Sequence, residues 1–469
     1  MDEDLARKTL TSLFESLPEA QLKKLGAKIE LDRTENRFGL PHQAIISLMR
    51  PYLAAVRAPR VYTPQRILCV PFEDMFTNHD PGFKRIGFIN RKSIAPFWRW
   101  LSRDLMPETL PALSDRFAAA QQAGDETATA QAASALWAQA AAALQEGLDR
   151  AEVSIAAYEA LAKICGGSAI VEDFAEMTKV LTIADHVEAM KRELPHKPIA
   201  LLTPDSVSTI IRHYTAVGAE NPGKEMFLLL IVIGRLLQPF PILKVFRSLS
   251  RKGDDSVIRT TDLSIAGDIV ISALEQDAVE AARVAQDRNS GEEEIVRKAA
   301  RFAAAFKGIT TDIGIRRDGE WGQRMYKSRN AVAEAVESRI LNNAHNTVMS
   351  ALSERHGSQI AALDAWPDEN DFDSAETRAS ALAALYRISD QLGVRAVCQS
   401  MLDDIRKSLN DYSVPLVEAL NRLPKEEHPP AFANLAVVVR LLELVANSDD
   451  ADLLRRRGRA ALDGTMLDY

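Results

Sequence analysis

Cysteine is scarce: Cys69, Cys165 and Cys398 are the whole complement, each roughly a hundred or more residues from the next and none in a CxxC pair. That spacing excludes a zinc knuckle and offers no disulfide framework, so the thiols are expected to be small buried hydrophobes. Long apolar runs are absent as well. The longest, Met226 to Leu237, has twelve residues with Arg235 among them, against the roughly 20 needed to cross a bilayer. Unbroken hydrophobicity of that length predicts a helix surrounded by other helices and ended by Gln238-Pro-Phe-Pro241. The weaker alternative is an interfacial segment anchored by Lys244, Arg247, Arg251 and Lys252. The chain opens Met-Asp-Glu-Asp, acidic where a secretory signal has a basic end followed by an apolar run, so a cytoplasmic location is expected.

The signatures of common chemistry are missing too. There is no GxGxxG, and Gly314-x4-Gly319 carries Glu320 and Trp321 where a phosphate loop needs Lys and Ser or Thr. Gly166-Gly-Ser168-Ala-Ile170 lacks the last glycine of a nucleophile elbow and reads as a helix break. The acidic stretch Trp366 to Asp373 alternates oxygen ligands only at Asp368 and Asn370, and Phe372 then breaks the calcium-loop pattern, so it reads as a hydrophilic linker. No HExxH occurs. The best metal candidate is Glu172, Asp173, Glu176, Asp185, His186 and Glu188, of which Glu172 and Glu176 share a helical face. Solvated helix charge is the favoured reading of that cluster, and no cofactor or metal is expected.

What is present is helical. A hydrophobic share of 46% and a charged share of 26% are globular values, and 469 residues leave room for several domains. Apolar residues recur at three- and four-residue spacing while period-two alternation is nearly absent, which predicts an all-α fold of multi-segment antiparallel helical bundles. Leu136, Ala140, Leu144 and Leu148 form one stripe; Val332, Val336, Ile340, Ala344, Val348 and Leu352 form another. Ser290 before Glu292, Glu293 and Glu294 predicts a helix start, with Ile295, Ala299, Phe302 and Phe306 buried and Gly308 as the stop. Asp80-Pro-Gly82, Gly166-Gly167 and Arg288 to Gly291 read as breaks. These signals divide the chain into residues 1–110, 111–290, 291–362 and 363–469. The last part is expected to hold helices at about 375–393, 395–409, 413–423, 430–446 and 449–462, possibly stacked as pairs.

Charge is unevenly distributed. Between residues 36 and 103 there are eleven basic side chains and only three acidic ones, Glu73, Asp74 and Asp80, whereas the remainder carries 46 basic and 62 acidic. Within that stretch, "GFKRIGFINRKSIAPFWRWLSR" (82–103) has six cations, five aromatics and no acid. A helix begun by Ser93 and running to about Leu105 would bury Ile94, Phe97, Trp98, Leu101 and Leu105, turn Arg99 and Arg103 outward and leave Trp100 on the flank. Glu73 and Asp74 are expected to pair with Arg57, Arg60, Arg66 or Lys84. The expected function is a non-catalytic cytosolic scaffold or regulatory protein that docks a protein partner through Arg57, Arg60, Lys84, Arg85, Arg91, Lys92, Arg99 and Trp100. The alternatives are an all-helical enzyme using the 172–188 carboxylates and histidine, or a binder of an anionic membrane or nucleic acid through the same cations. Long helices across 291–355 are a further candidate for self-association.

Overall fold

The computed structural model describes residues 3–18, 21–22, 24–26, 28–29, 41–56, 62–78, 84–249, 263–352, 355–356, 359–360, 366–422, 428–446 and 448–464. Twenty α-helices run through these residues. The first twelve are α1 (Glu3–Ser16), α2 (His42–Val56), α3 (Pro64–Cys69), α4 (Ile94–Trp100), α5 (Thr109–Gln122), α6 (Glu126–Glu152), α7 (Ile155–Cys165), α8 (Ser168–Leu181), α9 (Ala184–Glu193), α10 (Pro204–Glu220), α11 (Met226–Arg235) and α12 (Leu243–Leu249). Then come α13 (Leu263–Gln286), α14 (Glu292–Asp312), α15 (Glu320–Val336), α16 (Ala344–Met349), α17 (Glu369–Leu392), α18 (Arg395–Leu420), α19 (His428–Val445) and α20 (Ser448–Gly464). The strands among the described residues are two-residue pairs: β1 (Phe76–Thr77) parallel to β2 (Ile89–Asn90), and β3 (Arg355–His356) antiparallel to β4 (Gln359–Ile360). The all-α expectation holds.

The chain forms two compact units, residues 1–70 with 108–136, and residues 71–107 with 137–469. In the first, α1 and α2 pack around Phe14, Leu22, Ile29, Ile45 and Met49. In the second, α11 has its apolar run buried on all sides, as continuous hydrophobicity predicts. Helices α13, α14, α15 and α17 pack on one another, and α17 to α20 form an array of neighbouring helices. Helices on either side of the divisions drawn near 290 and 362 therefore lie against each other. Among the described residues no helix is long and apolar enough to cross a membrane. The three cysteines are free and buried, and burial pushes the Cys165 and Cys398 thiols up to about 11.

Local punctuation explains where several helices begin. Thr63, Ser154, Thr203 and Asp368 each accept a backbone N–H through the side chain at a helix start, satisfying one of the orphan donors there. The Gly166-Gly167 break separates α7 from α8 as expected. Other punctuation was misread. Asp368 caps α17, so the stretch read as an acidic linker opens a helix. Ser290 bonds Asp287 rather than capping α14, whose cap is Gly291. Gly308 lies inside α14: a Cβ there would come within 2.3 Å of the Phe240 ring, so the glycine serves close packing rather than termination. The helices expected at 395–409 and 413–423 are the single α18, which runs through Pro415 at the cost of one ladder hydrogen bond. The stripe expected to run from Val332 to Leu352 is not one helix: α15 ends at Val336 and continues as a π-turn at Glu337–Leu341, followed by Asn343 at φ +62°.

Candidate functional site

The basic segment is anchored by two carboxylates of α8. That helix presents Val171, Phe174, Met177, Val180 and Leu181 to the interior, and Asp173 and Glu176 lie among them as an i, i+3 pair. Lys84 meets both: its Nζ is 2.6 Å from Asp173 Oδ1 and 3.0 Å from Glu176 Oε2, and it donates to the Phe88 carbonyl at 2.6 Å. The Gly87 N–H donates to Glu176 Oε2 at 3.2 Å, the Asn90 N–H to Asp173 Oδ2 at 3.0 Å, and the Ser93 hydroxyl to the same oxygen at 2.6 Å. All three charged side chains are nearly enclosed, at 10% exposure for Lys84, 3% for Asp173 and 8% for Glu176. Burial raises the Glu176 carboxyl above its ordinary range; Lys84 and the Gly87 N–H oppose the rise, and the neighbouring Asp173 adds to it.

The chain turns at Arg85-Ile-Gly-Phe88, closed by the Phe88 N–H on the Arg85 carbonyl at 3.2 Å. Gly87 has φ +88°, the backbone state that the third position of a type II turn requires, and its Cα faces Leu230 and Ile269. The inward groups of this segment are thus fixed, and the outward ones are Arg85, Ile86 at 46% exposure, Phe88 at 36%, Arg91, Lys92 and Arg99. The Arg91 guanidinium lies over the Phe76 ring at 5.2 Å.

This geometry divides the residues expected at the docking face. Arg85, Arg91, Lys92 and Arg99 are exposed. Lys84 is an internal counter-ion, a correction caused by the two carboxylates beneath it. Trp100 is buried and stacks on Phe174 with ring centres 5.6 Å apart and planes at 18°, so it belongs to the interior rather than the flank. Its placement follows the i, i+3 spacing of α4, which puts Trp100 on the same buried side as Phe97. Trp98, expected in the core, is half-buried, and Ser93 binds Asp173. Arg57, Arg60, Phe83 and the Asp80-Pro-Gly82 turn lie outside the described residues.

A second buried ionic centre adjoins the start of the segment. Asp74, with its side chain 1% exposed, is 2.6 Å from Lys197 Nζ, 3.2 Å from Arg235 Nη1 and 3.5 Å from Lys191 Nζ. Glu73 joins Lys197 at 2.9 Å, and Lys191 also donates to the Pro71 carbonyl at 3.0 Å. Burial alone would raise the Asp74 carboxyl, but Lys191, Lys197 and Arg235 together hold it below the usual aspartate range. These partners come from α9, the segment after it and α11; of the cations expected from the sequence, Lys84 is held by Asp173 and Glu176 instead.

The proposed metal ligands are dispersed. Asp173 and Glu176 hold Lys84, His186 faces Glu220 at 2.9 Å, and Glu188 faces Lys191 at 3.0 Å. Among the described residues no three His, Cys, Asp or Glu side chains are grouped so as to hold a metal ion. A cavity of about 220 Å³ between α19 and α20 is floored by Leu435, Ala436 and Val439, and its rim residues Arg440 and Arg455 are both paired with Glu443. Comparison with protein-family models, curated proteins and solved structures finds no match.

The anchoring carboxylates had a sequence signal that went unread. Acids placed on the apolar stripe of an amphipathic helix are expected to be paired inside, not solvated.

Proposed function

We propose that the protein is a non-catalytic helical scaffold or regulator whose 85–99 surface docks an acidic protein segment. The observation that carries this reading is the division of labour in one short segment. Its backbone is held from within by Asp173, Glu176 and Lys84, while Arg85, Ile86, Phe88, Arg91, Lys92 and Arg99 face outward. Holding a binding surface in place before contact removes part of the ordering cost of association. Arginines supply planar donors for carboxylates, and the exposed Ile86 and Phe88 supply apolar contact beside them, the mix found at protein contacts. A partner of matching chemistry carries carboxylates around an apolar or aromatic side chain.

A photo-crosslinking residue placed at Phe88, with a control at the exposed Val279 on α13, tests the reading in native lysate. The expected result is a nuclease-resistant protein adduct from position 88 that is missing at 279. It should also disappear when Arg85, Arg91, Lys92 and Arg99 are changed to Gln. Adducts to nucleic acid or lipid, or a protein adduct that survives the Gln changes, would overturn it.

A further inference from the structure

Three of the most exposed large apolar side chains lie within twelve residues of one another: Val153 at 82%, Ile155 at 80% and Ile164 at 67%. The other strongly exposed ones, such as Val279, Trp366 and Leu201, are scattered singly through the sequence, which is ordinary. Ile155 and Ile164 belong to α7, one of the most apolar helices of the chain, and Val153 immediately precedes its cap, Ser154. Leu161 and Cys165 are its buried side. At about 100° per residue, Ile155, Ala156, Glu159, Ala160, Lys163 and Ile164 cover the opposite half, and all six are exposed.

We infer that this face docks a second copy of the same chain, α7 against α7, antiparallel about a twofold axis. The charges argue for that occupant. The face carries one acid and one base a turn apart, and neither Glu159 nor Lys163 pairs with another described residue. The complement of such a pattern is its own inverted copy. A twofold crossing the helix near Leu161 places Glu159 of each copy opposite Lys163 of the other, so both charges are answered at once. Ala156 and Ala160, small and central, let the backbones approach, while Ile155 and Ile164 cover the flanks. A lipid surface fits poorly, because the face has a carboxylate near its middle and a single cation. The helix has eleven residues, about 16 Å of contact, which is a small interface and predicts reversible association rather than an obligate dimer.

Sedimentation of the full chain across a concentration series tests this with a charge swap. Glu159→Lys and Lys163→Glu each place like charges opposite one another and should weaken self-association roughly tenfold or more. Mixed in equal amounts, the two variants should associate with each other at least as well as the unaltered chain does with itself. Ile164→Asp should abolish association while leaving the helical circular dichroism unchanged, since the side chain is exposed. A chain that is monomeric at every concentration would overturn the inference, as would a dimer indifferent to all three variants or singly altered chains that fail to recover on mixing.

Discussion

Two buried ionic centres tie residues 71–78 and 84–93 to the helices behind them, and the group at the heart of each has the opposite charge. At Asp74 one carboxylate faces three cations, Lys191, Lys197 and Arg235. At Lys84 one cation faces two carboxylates, Asp173 and Glu176. Burial acts on both in the same direction, disfavouring charge, so the balance of partners decides the outcome. The three cations beside Asp74 hold it ionised, whereas burial, with the neighbouring Asp173 adding to it, leaves Glu176 with a raised affinity for a proton. The lesson is that similar enclosure gives one carboxyl that resists protonation and another that accepts a proton more readily.

The largest effect expected from breaking this contrast is at Asp74. Asp74→Ala takes the carboxylate partner from Arg235 and leaves Lys191 with Glu188, both cations having side chains 8% exposed. The expected cost is about 3–5 kcal/mol at neutral pH, read as a lower urea midpoint with unchanged slope. A cost under about 1 kcal/mol, the range of an exposed ion pair, would mean that Glu73 and Glu188 already neutralise the cations.

Glu176→Gln sharpens the comparison and has the smaller effect. Because the folded Glu176 carboxyl is raised above 4.5, its contribution to stability is present in full below that value and is lost as pH rises through the folded value. The amide keeps an acceptor for Lys84 and the Gly87 N–H but carries no charge. It should therefore equal or exceed the stability of the unaltered chain near pH 7, with the gap closing below 4.5. Asp74 has the opposite sign: lowered from 3.8, it contributes above that value and is lost as pH falls through the folded value. Urea titrations of both proteins across pH check the two directions together. A large neutral-pH loss in Glu176→Gln would show that the second negative charge on Lys84 is itself stabilising.

The sequence conveyed the periodic features well and the long-range ones poorly. The all-α fold, the enclosed Met226–Arg235 helix and the Gly166-Gly167 break depend on spacing or local backbone freedom, and these are visible along the chain. Gly308 reads as a stop because a glycine has two uses, ending a helix or serving its interior, and only the neighbouring Phe240 ring decides between them. The basic segment stands out by its charge, but which of its cations face outward depends on partners about ninety positions away. Lys84 is drawn inward by Asp173 and Glu176, and Trp100 by Phe174. Helical angle alone placed Trp100 at an edge, and the π-turn after it lay beyond a regular 3.6-residue repeat.

The central claim is that the outward side chains of residues 85–92 are presented by a backbone held from within. Amide hydrogen exchange at Gly87 and Asn90 in the unaltered chain addresses it directly, since those N–H groups donate to Glu176 and Asp173. The account predicts that both exchange as slowly as the interior amides of α8, opening only when the surrounding helices do. Exchange at the rate of an exposed loop would mean that the segment is not held in one conformation, and would contradict it.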